Sequence, residues 1–357
     1  MEIRIAPLPE DRKKSKYTDE SQLGFGKLFT DRMFVAEWKV GEGWVDARIE
    51  PYAPFVLDPA CSVLHYAQEI FEGLKAYKWA DGSIALFRPE MNARRFNFSA
   101  DRICMPEVPE ELFLGAIEKL VSLERDWIPA SEGTSLYIRP AMIGVEPALG
   151  VKPADHYYFF VILSPVGAYY AAGFNPIKIM VEDHYVRAVS GGTGEAKTGG
   201  NYASSLKAGL EAKKKGYDQV LWLDGVQRRY IEEVGAMNML FAYGKTIVTS
   251  PLTGTILNGV TRDSTLKLAA NLGYSIEERL IDVNELMADI RAGKVTEAFG
   301  SGTAAVISPV GVFAYKGETY TVGDGGVGPI TRQLYDTLTG IQTGRVPDTF
   351  GWIRTIA

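Results

Sequence analysis

Apolar positions along this chain recur with two periods, and the period marks the elements. Arg32–Trp38 (RMFVAEW) runs into the turn-like Gly41-Glu42-Gly43 and reads as a strand. Ile84–Arg88 follows the turn Asp81-Gly82-Ser83 in the same way. Ser135–Ile143 and Tyr157–Leu163 read as buried strands, and Ile177–Val181 as another. Gln219–Asp224 and Arg228–Glu233 form a hairpin pattern turning at Asp224-Gly225. Met239–Tyr243 and Thr246–Thr249 flank Gly244-Lys245 likewise. Spacings of three and four predict helices over Asn92–Ile103 and Glu110–Asp126, the second with Leu112, Leu114, Ile117, Leu120, Val121 and Leu123 on one side. The same spacing at positions 67, 70, 71 and 74, with Gly73 near the end, predicts a helix over Leu64–Leu74. Further helices are expected at Tyr202–Lys215, Val260–Leu272 and Val283–Ala292. The element order is mixed rather than strictly β-α-β, which argues against a doubly wound nucleotide fold.

Length turns this pattern into two bodies. At about 150 residues per domain, 357 residues suggest two. The Gly- and Pro-rich SPVGAYYAAGFNP between Ser164 and Pro176 is the expected connection. The division is therefore 1–164, a connection at 165–175, and 176–357. The net charge of −6 argues against a nucleic-acid binder or a protein of anionic membrane surfaces, either of which wants a basic stripe. No apolar run approaches the ~18 residues of a membrane span. The N-terminal MEIRIAPLPEDRKKSKYTDE has no apolar signal core, so a cytoplasmic location is expected. Cys61 and Cys104 lie in no CxxC or Cys/His cluster and read as buried small residues, and His65, His156 and His184 are scattered, so no metal site is expected.

The most unusual segment is Gly191–Tyr202 (GGTGEAKTGGNY), in which five glycines surround Lys197 just before a helical pattern. Three readings compete. It is a surface loop with a solvated lysine; or a degenerate phosphate loop, one substitution from G-x-x-x-x-G-K-T but with Ala196 where backbone must wrap phosphate and no buried strand at Tyr185–Ser190; or a loop presenting a desolvated lysine amine to an aldehyde. The third reading needs partners. Pyridoxal phosphate wants a carboxylate at its ring nitrogen and N–H or cationic donors at its phosphate. Glu232 and Glu233 are adjacent, so a strand sends them to opposite faces; Glu233 is the candidate, Glu232 its alternative, and register decides. Phosphate donors are available at Val260 and Thr261, after Gly259, and in Gly300-Ser301-Gly302-Thr303.

These residues, taken in order, resemble the class IV (fold type IV) pyridoxal-phosphate aminotransferases, and within them the branched-chain amino-acid aminotransferases. The resemblance covers nearly the whole chain. It is carried by Phe29-Thr30-Asp31, Gln68–Ala76 (QEIFEGLKA), Phe87-Arg88-Pro89 with Asn92 and Arg95, and Ser135–Pro140 (SLYIRP) with Gly144 and Glu146-Pro147. It continues through Lys197–Tyr202 (KTGGNY), Glu233–Asn238 (EVGAMN), Gly259–Arg262 (GVTR) and Gly300–Ala304 (GSGTA). Each piece alone is weak; their joint order is specific. One departure stands out. Some animal members carry a redox CxxC just after the Gly-Thr-Ala segment, where this chain reads Ala305-Val306-Ile307-Ser308, which excludes a thiol switch there.

The resemblance implies a two-domain, mixed α/β fold: a small α/β domain followed by a larger, β-barrel-like domain with flanking helices. It implies that Lys197 is the Schiff-base lysine and the acid/base, that Glu233 holds the pyridine nitrogen, and that Tyr202 donates to the phenolic oxygen. Arg95 would clamp the phosphate, with Val260, Thr261 and Thr303. Arg139 and Tyr137, two apart on one strand face, and the backbone at Ala304 would meet substrate carboxylates. Phe25, Tyr66, Phe71 and Tyr169 would line an apolar pocket. The implied reaction exchanges amino groups between branched-chain L-amino acids (Leu, Ile, Val) and 2-oxoglutarate, giving L-glutamate, in a homodimer. D-amino-acid transamination and aminodeoxychorismate lysis are the neighbouring chemistries; a nucleotide-binding loop protein and a non-catalytic cofactor-binding homologue are the competitors from other classes.

Overall fold

In a computed structural model, which describes residues 1–167 and 174–356, the chain divides into two compact units. The first comprises Met1–Tyr169, Ala196–Gly199 and Ile341–Ala357; the second Tyr170–Glu195 and Gly200–Gly340. Residues 196–199 and 341–357, which a single cut at 165–175 assigns to the second part, thus pack with the first. The strand Ile353–Ile356 explains the C-terminal return, because it pairs antiparallel with Ile84–Phe87.

The first unit is built on a nine-stranded, largely antiparallel sheet. Its backbone is the ladder of Arg32–Lys39, His156–Val166, Ser135–Gly144, Leu74–Lys78 and Ile84–Phe87. The helices Pro89–Arg102 and Glu110–Leu123 pack together beside it. Their apolar sides, including Phe96, Phe113, Ile117 and Leu120, meet Phe34, Ile138, Phe159 and Val161 from the sheet in one continuous core. Burying such side chains contributes roughly 1.5–3 kcal/mol each, which is why the period-3.6 and period-2 patterns were readable here.

The second unit closes six strands into a ring. Around it run Ile177–Glu182, Gln219–Leu223, Ile231–Val234, Met237–Tyr243, Glu297–Gly302 and Val306–Tyr315, the last returning to the first. Closure removes the sheet edges that an open sheet of this size leaves unpaired. The helices Val260–Asn271 and Val283–Arg291 flank it, with Val283, Leu286, Met287 and Ile290 in its core.

Three expectations are corrected. The helix over Leu64–Leu74 exists only as Ser62–Tyr66. It stops at Ala67, which takes a left-handed conformation (φ 48°), and Glu69–Phe71 then pairs with Ala141–Ile143, so a tertiary ladder overrides local spacing. The hairpin after Leu223 turns over seven residues rather than at Asp224-Gly225, because the Asp224 carboxylate accepts backbone N–H bonds from Val226, Gln227, Arg229 and Tyr230 and shapes a wider loop. Cys61 is buried, but Cys104 is exposed in the left-handed turn that ends the helix Pro89–Arg102.

Candidate active site

In the first unit the site begins with a short backbone exchange. The Phe71 N–H donates to the Lys197 carbonyl (3.0 Å), and the Thr198 hydroxyl donates to the Glu69 carbonyl (2.8 Å). The Lys197 N–H donates to the Ser99 hydroxyl (2.9 Å). Two bonds therefore fix the lysine backbone to the strand Glu69–Phe71 and the helix Pro89–Arg102, and the Thr198 side chain adds a third beside it. This is not a loosely solvated loop. A Cβ at Gly199 would overlap the Glu69 carboxylate, so the chain passes here only because residue 199 has no side chain.

Two cations gather on one aromatic ring. Lys197 Nζ lies 4.8 Å from the Phe71 centroid, and Arg139 Cζ lies 4.6 Å from the same centroid. Arg139 also donates to the Tyr137 hydroxyl (3.1 Å), and Tyr137 meets Phe25 edge-on at 4.9 Å. The Arg139 Nε is buried and has no hydrogen-bond partner. This N–H is free to donate to a bound acceptor.

Behind Lys197 lies a buried carboxylate, Glu72. Glu72 is fully buried and accepts from Arg95 through Nε (2.7 Å) and a terminal nitrogen (2.8 Å), and from Asn92 (2.7 Å). Burial alone pushes its pKa up; Arg95, the charge of Lys197 and the Asn92 bond outweigh that and hold it below its usual value. Arg95 is thereby held in one orientation.

In the second unit, register places the adjacent carboxylates Glu233 and Glu232 on opposite faces. Glu233 pairs with Asn238, and Asn238 with Ser301, so these three lie in one row across three strands. The Glu233 carboxylate accepts from the Leu257 N–H (2.7 Å) and pairs with Arg187 (3.1 Å), whose other nitrogens hold the carbonyls of Thr255 (2.8 Å) and Gly194 (3.2 Å). Glu232 is buried on the other face; burial pushes its pKa up, with the Thr255 bond and Arg187 opposing, and one of its oxygens has no partner. Asn238 donates to the Leu257 carbonyl (3.0 Å), so the segment before Gly259 is held at both polar groups of Leu257. A Cβ at Gly259 would overlap the Asn238 side-chain oxygen, which brings the helix Val260–Asn271 in close. Val260 and Thr261 open that helix, both buried, where N–H groups have no acceptor one turn earlier. Thr303 and Ala304 sit in the tight turn joining Glu297–Gly302 to Val306–Tyr315. Tyr202 is half-buried in the first turn of the helix Gly199–Lys214. Thr193 and Asn201 bond reciprocally (2.7 Å each) and fasten the glycine loop to that helix.

The structure thus brings together Lys197, Phe71, Tyr137, Arg139 and Phe25 by direct contacts in the first unit, and Glu233 with the segment leading to Val260 and Thr261 in the second. Tyr66 makes no hydrogen bond or ring contact with that first group. It is 41% exposed, and its hydroxyl donates to the Leu149 carbonyl. Tyr169 lies outside the described residues. Sequence reasoning gave no role to Glu69, Glu72, Arg187 or Asn238. Glu69, Glu72 and Asn238 stood inside quoted motifs, whereas nothing in sequence marks Arg187. The phosphate-loop reading loses its context, because residues 185–190 form no strand.

The comparisons with known proteins agree with this chemistry. Residues 69–312 match the family model described as amino-transferase class IV. The chain is 52% identical over 344 residues to branched-chain-amino-acid aminotransferase 2 of Bacillus subtilis (strain 168), covering 96% of this chain and 95% of that protein. It is 50% identical over 335 residues to the branched-chain-amino-acid aminotransferase of Mycolicibacterium smegmatis, covering 92% and 91%. Among solved structures, the Escherichia coli branched-chain amino acid aminotransferase superposes with a TM-score of 0.74 at 28% identity, over 90% of this chain and 99% of that one. The Thermobaculum terrenum enzyme in its PLP (holo) form gives 0.75 at 25% identity, over 91% and 98%.

The donor chemistry fits a pyridoxal phosphate: the first unit offers an amine for an aldehyde, and the second a buried carboxylate for a ring N–H and helix-start N–H groups for a phosphate. On its sequence, its fold and these residues, the chain belongs to the class IV aminotransferases.

Proposed function

We propose that this protein is a pyridoxal-phosphate-dependent branched-chain-amino-acid transaminase, exchanging amino groups between L-leucine, L-isoleucine or L-valine and 2-oxoglutarate. The observation that carries the reading is the lysine backbone fixed at its N–H and its carbonyl, with the Thr198 hydroxyl bonded beside it and the lysine amine and a guanidinium on one phenylalanine ring. Relatives of about half identity over nearly full length carry that activity in their names.

Bound pyridoxal phosphate supplies an aldehyde to take the amino group and a ring that withdraws electrons from the substrate Cα. The residues do the rest. Lys197 would hold the aldehyde and carry a proton between the substrate Cα and the C4′ position. Glu233, backed by Arg187 and the Leu257 N–H, keeps a proton on the ring nitrogen. Tyr202 donates to the phenolic oxygen. Arg95, oriented by Glu72, holds the phosphate with the N–H groups of Val260 and Thr261 and with Thr303. Arg139, Tyr137 and the backbone at Ala304 receive carboxylates, and Phe25, Phe71, Tyr66 and Tyr169 surround the apolar side chain. The proposed domains are 1–164 and 176–357 joined by 165–175, with residues 196–199 and the C-terminal strand packed in the first unit.

A cytoplasmic homodimer belongs to the same proposal. Its support is exposed apolar side chains on segments joined by hydrogen bonds: Leu64, Tyr66 and Leu149, with the Tyr66 hydroxyl on the Leu149 carbonyl, Ala148 N–H on Ala60 O and Ser62 N–H on Glu146 O. No helix among the described residues is long and apolar enough to cross a membrane.

The test is a coupled assay of L-leucine with 2-oxoglutarate on purified protein, beside D-alanine and aminodeoxychorismate. Glutamate formation from leucine alone, abolished in Lys197→Ala, is expected. Turnover of D-alanine or aminodeoxychorismate in place of leucine overturns the substrate assignment, and a colourless protein that takes up no pyridoxal phosphate overturns the whole reading.

A further inference from the structure

The reading above gives one site two unlike side chains to hold, an apolar one and one ending in a carboxylate. The inference here rests on that reading and concerns how a single cation serves both. Strand register places the relevant groups. Glu69 lies opposite Ile143 and Phe71 opposite Ala141, so both side chains stand on the face shared by Tyr137, Arg139, Ala141 and Ile143. Phe71 stands between Arg139 and Glu69 along this face. The Arg139 guanidinium lies over the Phe71 ring, that is, on the path towards Glu69. Its Nε is buried without a partner.

Glu69 is the carboxylate next to Phe71 on this face, and its position is built; Glu37, on the same face opposite Tyr158, is paired with Arg48 and Lys39. Its main chain is bonded to Thr198, and its side chain occupies the space a Cβ at residue 199 would need. It forms no salt bridge with Arg139. We propose that Glu69 is a specificity-determining positioning residue, the resident counter-charge of Arg139, which gives way when a substrate brings its own side-chain carboxylate. With leucine bound, Arg139 keeps Glu69 as its nearest balancing charge and the apolar chain meets no naked cation. With 2-oxoglutarate or glutamate bound, the substrate carboxylate takes the guanidinium, and Glu69 takes up a proton from solvent.

The surroundings agree. Burial pushes the Glu69 pKa up, and Arg139 opposes that only in part. The other charged groups nearby are committed elsewhere. Lys197 acts on Glu72, Arg95 is bonded to Glu72, and the His65 ring nitrogen lies 2.8 Å from the Pro59 carbonyl. Lys75, opposite Tyr137 on the same face, is buried, which lowers its pKa to about 8. A titration of Glu69 is therefore read below the range in which Lys75 changes charge.

The experiment compares holoenzyme of the wild type, Glu69→Gln and Glu69→Ala with two amino acceptors, 2-oxoglutarate and the 2-oxo acid of leucine. In the wild type the KM for 2-oxoglutarate rises with pH as Glu69, whose pKa burial holds above the ordinary carboxylate range, ionises and competes, while the KM for the apolar oxo acid stays level or falls. In Glu69→Gln the competitor is gone. The preference for 2-oxoglutarate over the apolar acceptor, as a ratio of kcat/KM, rises about threefold to tenfold, and the pH slope of that ratio disappears. The cofactor absorbance of each variant reports that the site is assembled. If both variants keep the wild-type ratio and its pH slope, or lose activity equally on both acceptors, the assignment of Glu69 is overturned while the transaminase reading stands. If the wild type itself exchanges no amino group, the reading beneath it fails instead.

Discussion

The pair behind Lys197 offers the sharpest energetic test, through Glu72→Gln. Glu72 is completely buried, and its two oxygens take two bonds from Arg95, one from Asn92 and one from the Gly73 N–H. The amide keeps the shape but removes the charge and turns one acceptor into a donor facing donors. Arg95, with a side chain only 9% exposed, is left with a charge and an unmatched N–H. Removing one partner of a buried pair costs about 3–5 kcal/mol, and the retained amide oxygen places this substitution near the lower end, about 3 kcal/mol. At about 2–4 °C per kcal/mol for a unit of this size, the melting temperature falls by about 6–12 °C. The assay is chemical unfolding followed by tryptophan fluorescence, since Trp127 is buried in the core of the first unit. A double-mutant cycle with Arg95→Met recovers a coupling of about 2 kcal/mol. The pH dependence has a definite sign. The Glu72 pKa is lower folded than unfolded, so its contribution is full above its ordinary 4.5 and disappears as pH falls through the folded value. Glu72→Gln therefore flattens the acid side of the stability curve. A loss below about 1 kcal/mol, or additive effects of the two substitutions, refutes the argument that this pair fixes the lysine's surroundings.

Two further outcomes bear on catalysis. Glu233→Gln removes the charge opposite Arg187, and kcat with leucine falls by about a hundredfold or more; a change within about fivefold removes Glu233 from its proposed place. Tyr137→Phe deletes the hydroxyl that accepts from Arg139, and kcat/KM for glutamate falls about fivefold more than for leucine, since roughly 1 kcal/mol of hydrogen bonding is lost at the carboxylate-receiving group. Equal losses on both substrates count against Arg139 as the carboxylate receiver.

What could be read from sequence follows the range of the forces involved. Strands such as Arg32–Lys39 and Ser135–Gly144 and the helix Glu110–Leu123 announce themselves because each buries a face, and burial leaves a period in the residues. The lysine, the Glu233 strand and the helix start at Val260 were legible because their chemistry demands particular residue types beside glycine. What escaped is what only pairing decides. Gln68–Leu74 has helical spacing, and nothing local says that Glu69–Phe71 will instead be claimed by Ala141–Ile143. That one pairing sets Phe71 under two cations, turns Glu72 inward to Arg95 and lays Glu69 against the chain at Gly199. Arg187 is hidden for the same reason: it is distant in sequence from Glu233, and its role exists only once the ring of strands has closed. The residues proposed to take direct part in the chemistry are thus written in motifs, whereas those proposed to fix charge around them are written in register. A substitution that slips Glu69–Phe71 by one position would keep every motif residue yet send Phe71 and Glu69 to the opposite face, and the site would lose its ring, its counter-charge and the anchor of its lysine together.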